Sequence, residues 1–168
     1  FKDFHKYHVI QLNDTHPNIA IAELIRVLVD ENGLSFDQAL EISKKVFAFT
    51  NHTVLQEAIE KWPIDIVEEV SPRCLEIIYQ INDVLVKHFK DEGLSDSDID
   101  PYRIVINDQV HMANLAIYVG FSVNGVAALH TEILKADTFK HWYKIFPHKF
   151  NNKTNGCLLY TSDAADDS

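Results

Sequence analysis

Three short segments of the sequence concentrate side chains that can hydrogen-bond to hydroxyl groups or take part in proton transfer. They are residues 13–17 (Asn-Asp-Thr-His-Pro), residues 50–53 (Thr-Asn-His-Thr) and residues 151–156 (Asn-Asn-Lys-Thr-Asn-Gly). Asn and His offer donors and acceptors side by side, a combination that suits sugar hydroxyls. The first segment follows an apolar run at residues 9–12 that we predict to be a strand. Open α/β sheets bind ligands at the carboxyl ends of their strands, so this loop is a candidate binding site.

Each of these segments also has a purely structural interpretation. Asp14 or Thr15 is suited to cap a helix that begins at Pro17, because both side chains accept hydrogen bonds from the free N–H groups of a first turn. Thr50 and Thr53 are placed to close one helix and to start the next. Capping is the commonest use of such residues, so the residue types alone favour it over ligand binding.

The sequence carries no strong signature of a metal site or a phosphate loop. His5 with His8, or His16 with His52, gives a weak candidate because no second pair of ligands stands at a recognisable spacing. Residues 91–100 contain five acids, but they lack the ligand spacing and the closing Glu of a calcium hand, so we expect a solvated loop. A Walker loop, a Gly-x-Ser-x-Gly turn and a Cys-His signature are all missing. We therefore expect no metal.

Length and composition fit a globular protein that does not bind polyanions. The 168 residues suit one domain, and a hydrophobic fraction of 46% provides enough material for a core. A net charge of −10 argues against nucleic acid and against anionic membranes as partners. Cys74 and Cys157 are too few and too far apart for a disulfide scaffold. This cysteine usage indicates a reducing compartment, and we expect a cytoplasmic protein.

Helical patterns dominate the chain between these polar segments. An almost entirely apolar run at residues 18–30 predicts a buried helix that stops at Gly33. Ser35 and Gln38 form a capping box that opens a second helix, which we extend to about Thr50.

A shorter helix is predicted from Thr53 through Trp62. The longest helix begins at Ser71-Pro72 and has an apolar face formed by Leu75, Ile78, Ile81 and Leu85. Further helices are predicted at residues 108–118, 126–136 and 138–145. The expected fold is therefore predominantly helical with a few short strands.

Longer segments in collinear order between residues 7 and 156 carry a family resemblance. They are residues 11–17 (Gln-Leu-Asn-Asp-Thr-His-Pro), 49–54 (Phe-Thr-Asn-His-Thr-Val), 60–63 (Glu-Lys-Trp-Pro), 72–73 (Pro-Arg), 75–79 (Leu-Glu-Ile-Ile-Tyr), 111–115 (His-Met-Ala-Asn-Leu), 123–127 (Val-Asn-Gly-Val-Ala) and 149–156 (Lys-Phe-Asn-Asn-Lys-Thr-Asn-Gly). Together they resemble the α-glucan phosphorylases, which act on glycogen, starch or maltodextrin. No single segment decides the resemblance, but their number and order do.

The resemblance implies a larger α/β architecture, the GT-B type of glycosyltransferase with two facing Rossmann-like halves. On this basis residues 1–156 are an internal part of the N-terminal half. The family continues after residue 156 with Ile-Thr-Pro-Arg-Arg-Trp, whereas this chain reads Cys-Leu-Leu-Tyr-Thr-Ser. We therefore expect residues 157–168 to be a non-native tail.

The resemblance also implies an activity, a cofactor and partners. The family carries out reversible phosphorolysis of α-1,4-glucan by inorganic phosphate, giving glucose 1-phosphate with retention of configuration. Its pyridoxal phosphate is a Schiff base on a lysine, and the cofactor phosphate assists proton transfer. That lysine and the substrate phosphate site have no match here, so we expect this chain to be inactive by itself. The resemblance separately implies that the parent protein is a homodimer. The alternative is a stand-alone carbohydrate-binding or helical interaction module without catalysis.

Five residues take site roles from the resemblance. His52 matches the catalytic histidine whose backbone carbonyl lies near glucosyl C1 and whose side chain reaches the 6-hydroxyl. Asn155 matches an asparagine that binds the same hydroxyl, and Val123 matches a valine that packs beside the sugar. Asp14 and His16 match residues that line the side where the glucan acceptor binds.

Overall fold

The structure, a computed structural model, describes residues 3–156. Its strands are β1 (Ile10–Asn13), β2 (Phe47–Thr50), β3 (Lys61–Pro63), β4 (Val105–Ile106), β5 (Gln109–His111), β6 (Ser122–Gly125) and β7 (Phe150–Asn152). Its helices are α1 (Phe4–Tyr7), α2 (Ile19–Arg26), α3 (Phe36–Ser43), α4 (Ile64–Val70), α5 (Pro72–Asp91), α6 (Asp96–Ile99), α7 (Met112–Val119), α8 (Ala128–Ile133) and α9 (Lys140–Ile145). The fold is therefore mixed α/β, which confirms the expected short strands within a largely helical chain.

Two sheets organise the described residues. Four strands form a parallel sheet in the order β1-β2-β6-β7, and β3, β5 and β4 form a small antiparallel sheet. In the parallel sheet Asn13 pairs with Thr50, Thr50 with Asn124, and Gly125 with Asn152. The carboxyl ends of all four strands consequently lie in register along one edge of the sheet.

Strand β2 corrects the prediction of a helix running to about Thr50. Helix α3 ends at Ser43, and Phe47, Ala48 and Phe49 are buried in the middle of the parallel sheet. A strand covered on both faces is a continuous apolar run, so hydrophobic periodicity does not separate it from a buried helix. The predicted start of this helix is confirmed, because Ser35 and Gln38 form the reciprocal capping-box bonds.

Two further helix predictions are also corrected. Residues 53–62 contain only a 3-10 turn (Gln56–Ala58) before β3, so the helix from Thr53 through Trp62 is wrong. The helix predicted at 108–118 begins later, at Met112, because Asn107 and Asp108 adopt positive φ angles of 52° and 54°. Two such residues between paired Ile106 and Gln109 form the tight loop of a β-hairpin. Residues 91–100 likewise include a helical turn, α6, opened by a Ser95 capping box.

The other predicted elements are confirmed at nearly their expected positions. The apolar run at 18–30 forms α2 and a π-helical turn (Val27–Glu31), followed by Gly33 in the left-handed region. Helices α5, α8 and α9 match predictions, although α8 starts two residues late and continues as a π-turn (Leu134–Thr138). Helix α5 buries the expected face, Leu75, Ile78, Ile81 and Leu85. Within residues 3–156 no helix combines the length and apolar character needed to span a membrane.

Candidate functional site at the carboxyl edge of the parallel sheet

The three polar segments of the sequence meet at the carboxyl edge of the parallel sheet. Strand β1 leads into residues 14–16, β2 into residues 51–52, and β7 into residues 153–155. Backbone hydrogen bonds tie these loops together: Asp14 N–H donates to Thr50 O at 2.9 Å, and Asn155 N–H donates to Val126 O at 2.9 Å. Asn13, Asp14, His16, His52 and Asn155 thus share one edge, and we refer to them as the carboxyl-edge cluster.

His52 is fixed by the residue that ends β1. Its Nε2 lies 2.6 Å from Oδ1 of Asn13. An amide oxygen only accepts hydrogen bonds, so Nε2 is the donor and carries a proton. This leaves Nδ1 of a neutral His52 as an acceptor, on a side chain that is exposed to solvent. His52 is therefore oriented to accept a hydrogen bond from a ligand hydroxyl at the edge.

A polar network beneath the cluster joins three neighbouring strands. Gln11 Nε2 donates to Thr50 Oγ1 at 2.6 Å, and Thr50 Oγ1 donates to Asn124 Oδ1 at 2.8 Å. Asn124 Nδ2 in turn donates to Gly125 O at 3.0 Å. Thr50 is thus a cross-strand residue and does not close a helix. This network holds the ends of β1, β2 and β6 in a fixed relation.

Asp14 and Thr15 do not cap helix α2. Asp14 has a positive φ of 65° and accepts the Thr15 N–H at Oδ1, 2.7 Å away, which stabilises the tight turn after β1. The N-cap of α2 is Asn18, whose Nδ2 donates to Met112 O at 2.9 Å. The capping interpretation is therefore wrong for α2, and the side chains of Asp14 and Thr15 are free to bond to groups outside this helix.

Glu60 is a site residue that residue-type reasoning missed. Its Oε2 accepts from Thr15 Oγ1 at 2.6 Å and its Oε1 lies 2.9 Å from His16 Nδ1. The hydrogen bond and negative charge of Glu60, with a smaller contribution from Asp14, raise the pKa of His16. Burial raises the pKa of Glu60 itself, but the hydrogen bonds from Thr15 and His16 outweigh this and leave it lowered. The available signal was its position at the start of the family-like segment 60–63.

Comparison with known proteins assigns the chain to a family. A family model described as carbohydrate phosphorylase matches residues 1–159. The chain belongs to the carbohydrate phosphorylase family. It is 46% identical over 160 residues to glycogen phosphorylase 2 of Dictyostelium discoideum, covering 93% of this chain and 16% of that protein.

Bacterial and animal phosphorylases are equally similar to this chain. The maltodextrin phosphorylase of Streptococcus pneumoniae is 46% identical over 154 residues, with 92% of this chain and 19% of that protein covered. Human brain-form glycogen phosphorylase is 46% identical over 162 residues, with 93% and 19% covered. The chain thus spans less than a fifth of the length of these relatives. The expected non-native tail at 157–168 lies outside the described residues, although the family match reaches residue 159.

The predicted site residues differ in their position relative to the carboxyl edge. Asp14, His16, His52 and Asn155 stand at the carboxyl edge, and Asn155 is exposed. Val123 is different: it is fully buried inside β6, paired with Phe49 and Phe150, so its side chain does not reach a ligand at the surface of these residues.

Lys149 does not fit the Schiff-base lysine of a pyridoxal phosphate site. A Schiff-base lysine needs a free amine, and the lysine here whose pKa burial lowers to about 8 is Lys149. Its Nζ donates to Ile117 O at 2.8 Å and to Tyr118 O at 2.9 Å, at the opposite edge of the sheet. Among residues 3–156 there is also no cluster of three or more His, Cys, Asp or Glu side chains that would hold a metal.

Proposed function

We propose that the whole protein carries out reversible phosphorolysis of α-1,4-glucan, consuming inorganic phosphate and releasing glucose 1-phosphate. The observation that carries the proposal is the convergence of three family-like polar segments on one edge of a parallel sheet. Family membership supports the reaction class. The parallel sheet with its helices fits part of the N-terminal Rossmann-like half of a GT-B fold, and residues 1–156 are proposed to belong to it.

In this proposal His52 and Asn155 bind the 6-hydroxyl of the glucosyl unit. The Asn13 contact supports this role for His52, because it fixes the ring and leaves Nδ1 as an acceptor. The His52 backbone carbonyl is proposed to face C1, where a carbonyl dipole stabilises positive charge that develops on the sugar. The exposure of Asn155 supports its share in the same contact.

Asp14 and His16 are proposed to line the acceptor side of the glucan. For the apolar contact with the sugar, Val126 is better placed than Val123. Val126 follows β6 at the carboxyl edge, is half-buried, and bonds to Asn155 through its carbonyl. We therefore transfer that role to Val126 and assign Val123 to the sheet core.

The remaining expectations concern the whole protein. We propose that it uses pyridoxal phosphate on a lysine outside residues 3–156, is located in the cytoplasm and assembles as a homodimer. Family membership supports each of these proposals. The 168-residue chain by itself is expected to form no glucose 1-phosphate, since the cluster positions a sugar but offers no anion site for the attacking phosphate.

A chimera tests the proposed function. Residues 7–156 would replace the matching segment of the Streptococcus pneumoniae maltodextrin phosphorylase, which aligns with this chain over 154 residues. We expect the chimera to release glucose 1-phosphate from maltoheptaose and inorganic phosphate, and the 168-residue chain alone to release none. A folded chimera that binds maltoheptaose but performs no phosphorolysis would favour the carbohydrate-binding module instead.

A further inference from the structure

The segment between β2 and β3 is tied at both of its ends to the loop after β1. We call residues 53–59 the arch, because they connect His52 to Glu60 across the candidate site. At one end His52 bonds to Asn13, and at the other Glu60 bonds to both Thr15 and His16. Both ends of the arch therefore contact the turn at residues 13–16. The backbone beside each end is also held elsewhere, since Asn51 N–H donates to Asn124 O at 3.0 Å and Met112 N–H donates to Glu60 O at 3.3 Å.

Val54 and Ile59 pack against the core, but the middle of the arch makes few hydrogen bonds to other elements. Gln56 Nε2 donates to Thr138 O at 3.2 Å, and Thr138 Oγ1 approaches Val54 O at 3.5 Å. Leu55 is 56% exposed, and residues 56–58 are exposed as well. The position of the exposed middle, residues 55–58, therefore depends on how the two ends of the arch are held.

The Glu60 end has the geometry of a carboxylate–imidazole pair. The side chain of His16 is 71% exposed, whereas that of Glu60 is only 29% exposed, so the carboxylate forms the inner partner. A carboxylate accepts at both oxygens, so His16 Nδ1 must carry the proton of the 2.9 Å contact. A neutral His16 then has its free lone pair on Nε2. In His52 the free lone pair is on Nδ1, because Nε2 donates to Asn13.

We propose that Glu60 is a positioning residue that holds His16 in the Nδ1–H form, so that Nε2 accepts a hydrogen bond from a hydroxyl of the glucan acceptor. The same carboxylate fixes Thr15 and thereby the second end of the arch. This inference rests on the proposed function for the identity of the ligand, but the orientation of His16 by Glu60 does not depend on it. Carboxylates orient histidines at metal sites through the same type of contact.

The test is a comparison of Glu60→Gln with Glu57→Gln in the full 168-residue chain. Glu57 is an exposed acid on the arch and makes no hydrogen bond within residues 3–156, so it is the matched control. Long-range ¹H–¹⁵N spectra of the histidine rings report the tautomer and the pKa of His16, with His16→Ala providing the assignment. Amide hydrogen exchange of residues 53–59 reports the arch.

We expect wild type and Glu57→Gln to show His16 with its proton on Nδ1 and a raised pKa. In Glu60→Gln the tautomer should shift toward Nε2–H, the pKa should fall toward its ordinary value, and exchange in the arch should rise at least threefold. An unchanged His16 tautomer in Glu60→Gln would overturn the inference.

Titration with maltoheptaose separates this inference from the proposed function. We expect it to perturb His16 Nε2 in the wild-type spectrum and to bind Glu60→Gln about fivefold more weakly. Glu60→Gln could change the His16 tautomer while wild type and Glu57→Gln show no response to maltoheptaose. In that case the orientation of His16 by Glu60 is supported, and the proposed recognition of glucan by this chain is wrong. Equal affinity of Glu60→Gln and wild type would refute the link between His16 orientation and the ligand.

Discussion

His52 and His16 illustrate how neighbouring residues decide which histidine nitrogen meets a ligand. Asn13 accepts from Nε2 of His52, whereas Glu60 accepts from Nδ1 of His16. The sequence showed both histidines in polar loops, and the resemblance gave them sugar-binding roles. Neither spacing nor residue type predicted the tautomers, because Asn13 and Glu60 lie far along the chain from the histidines that they orient.

Gly125 gives a prediction at the residue scale. A Cβ at this position would lie 2.5 Å from Thr131 Oγ1 and 3.0 Å from Thr131 Cα, so Gly125→Ala forces the end of β6 and α8 apart. We expect a loss of about 2 kcal/mol in the free energy of unfolding, measured by urea denaturation. Gly156→Ala is the control, since no atom of residues 3–156 lies within 4 Å of its added Cβ. Equal stability of the two variants would contradict the packing seen at β6.

At the scale of elements, the sequence predicted helices better than strands. Helix α5 has a repeating apolar face and a Pro at its start, and both are local signals. Strand β2 has no alternating pattern, and the turn before it, Lys-Lys-Val at residues 44–46, contains no Gly or Pro that would separate it from α3 in the sequence. Strand β7 is only three residues long. Such strands are stabilised by neighbours that are distant in sequence, so a local pattern does not find them.

Asn82 on α5 shows how one element fixes the start of another. Its buried Oδ1 accepts from Ile104 N–H at 3.0 Å and from Val105 N–H at 3.2 Å, where β4 begins. Asn82→Ala leaves these donors without a partner, and we expect a loss of about 2 kcal/mol in the free energy of unfolding. Asp83→Ala, at the exposed neighbouring position, should change it by less than about 0.5 kcal/mol. Similar losses in both variants would show that α5 is perturbed in general.

Lys149 links the last turn of α7 to β7 and makes stability depend on pH. Its folded-state pKa of about 8 lies below the ordinary 10.5, so between these values the unfolded chain binds more protons. Stability should therefore rise as the pH increases from 8 to 9.5, because a group that the folded state holds neutral favours folding at higher pH. Urea denaturation across this range should show the rise in wild type and in the exposed-site control Lys153→Met, but not in Lys149→Met. If stability still rises with pH in Lys149→Met, the rise is caused by another titratable group.

At the scale of the whole molecule, the proposed site depends on loops that only the folded sheet brings together. Residues 13–16, 51–52 and 153–155 are separated by up to 142 positions, yet they meet because four parallel strands end in register. The family resemblance predicted their importance, and the sheet explains it physically. The register also buries Val123 and leaves Val126 at the edge, which supports the proposed transfer of the sugar contact to Val126.

We propose above all that His52 and Asn155 of the carboxyl-edge cluster bind the glucosyl unit during phosphorolysis. The most direct test measures kcat/KM for maltoheptaose phosphorolysis in the chimera carrying residues 7–156, comparing His52→Ala with His148→Ala. His148 is an exposed histidine just before β7, at the opposite edge of the sheet, so it controls for the loss of an imidazole. We expect His52→Ala to lower kcat/KM by about 100-fold, the typical effect of removing one preorganised contact to the transition state, and His148→Ala to change it less than about twofold. Equal activities of the two variants would contradict the claim.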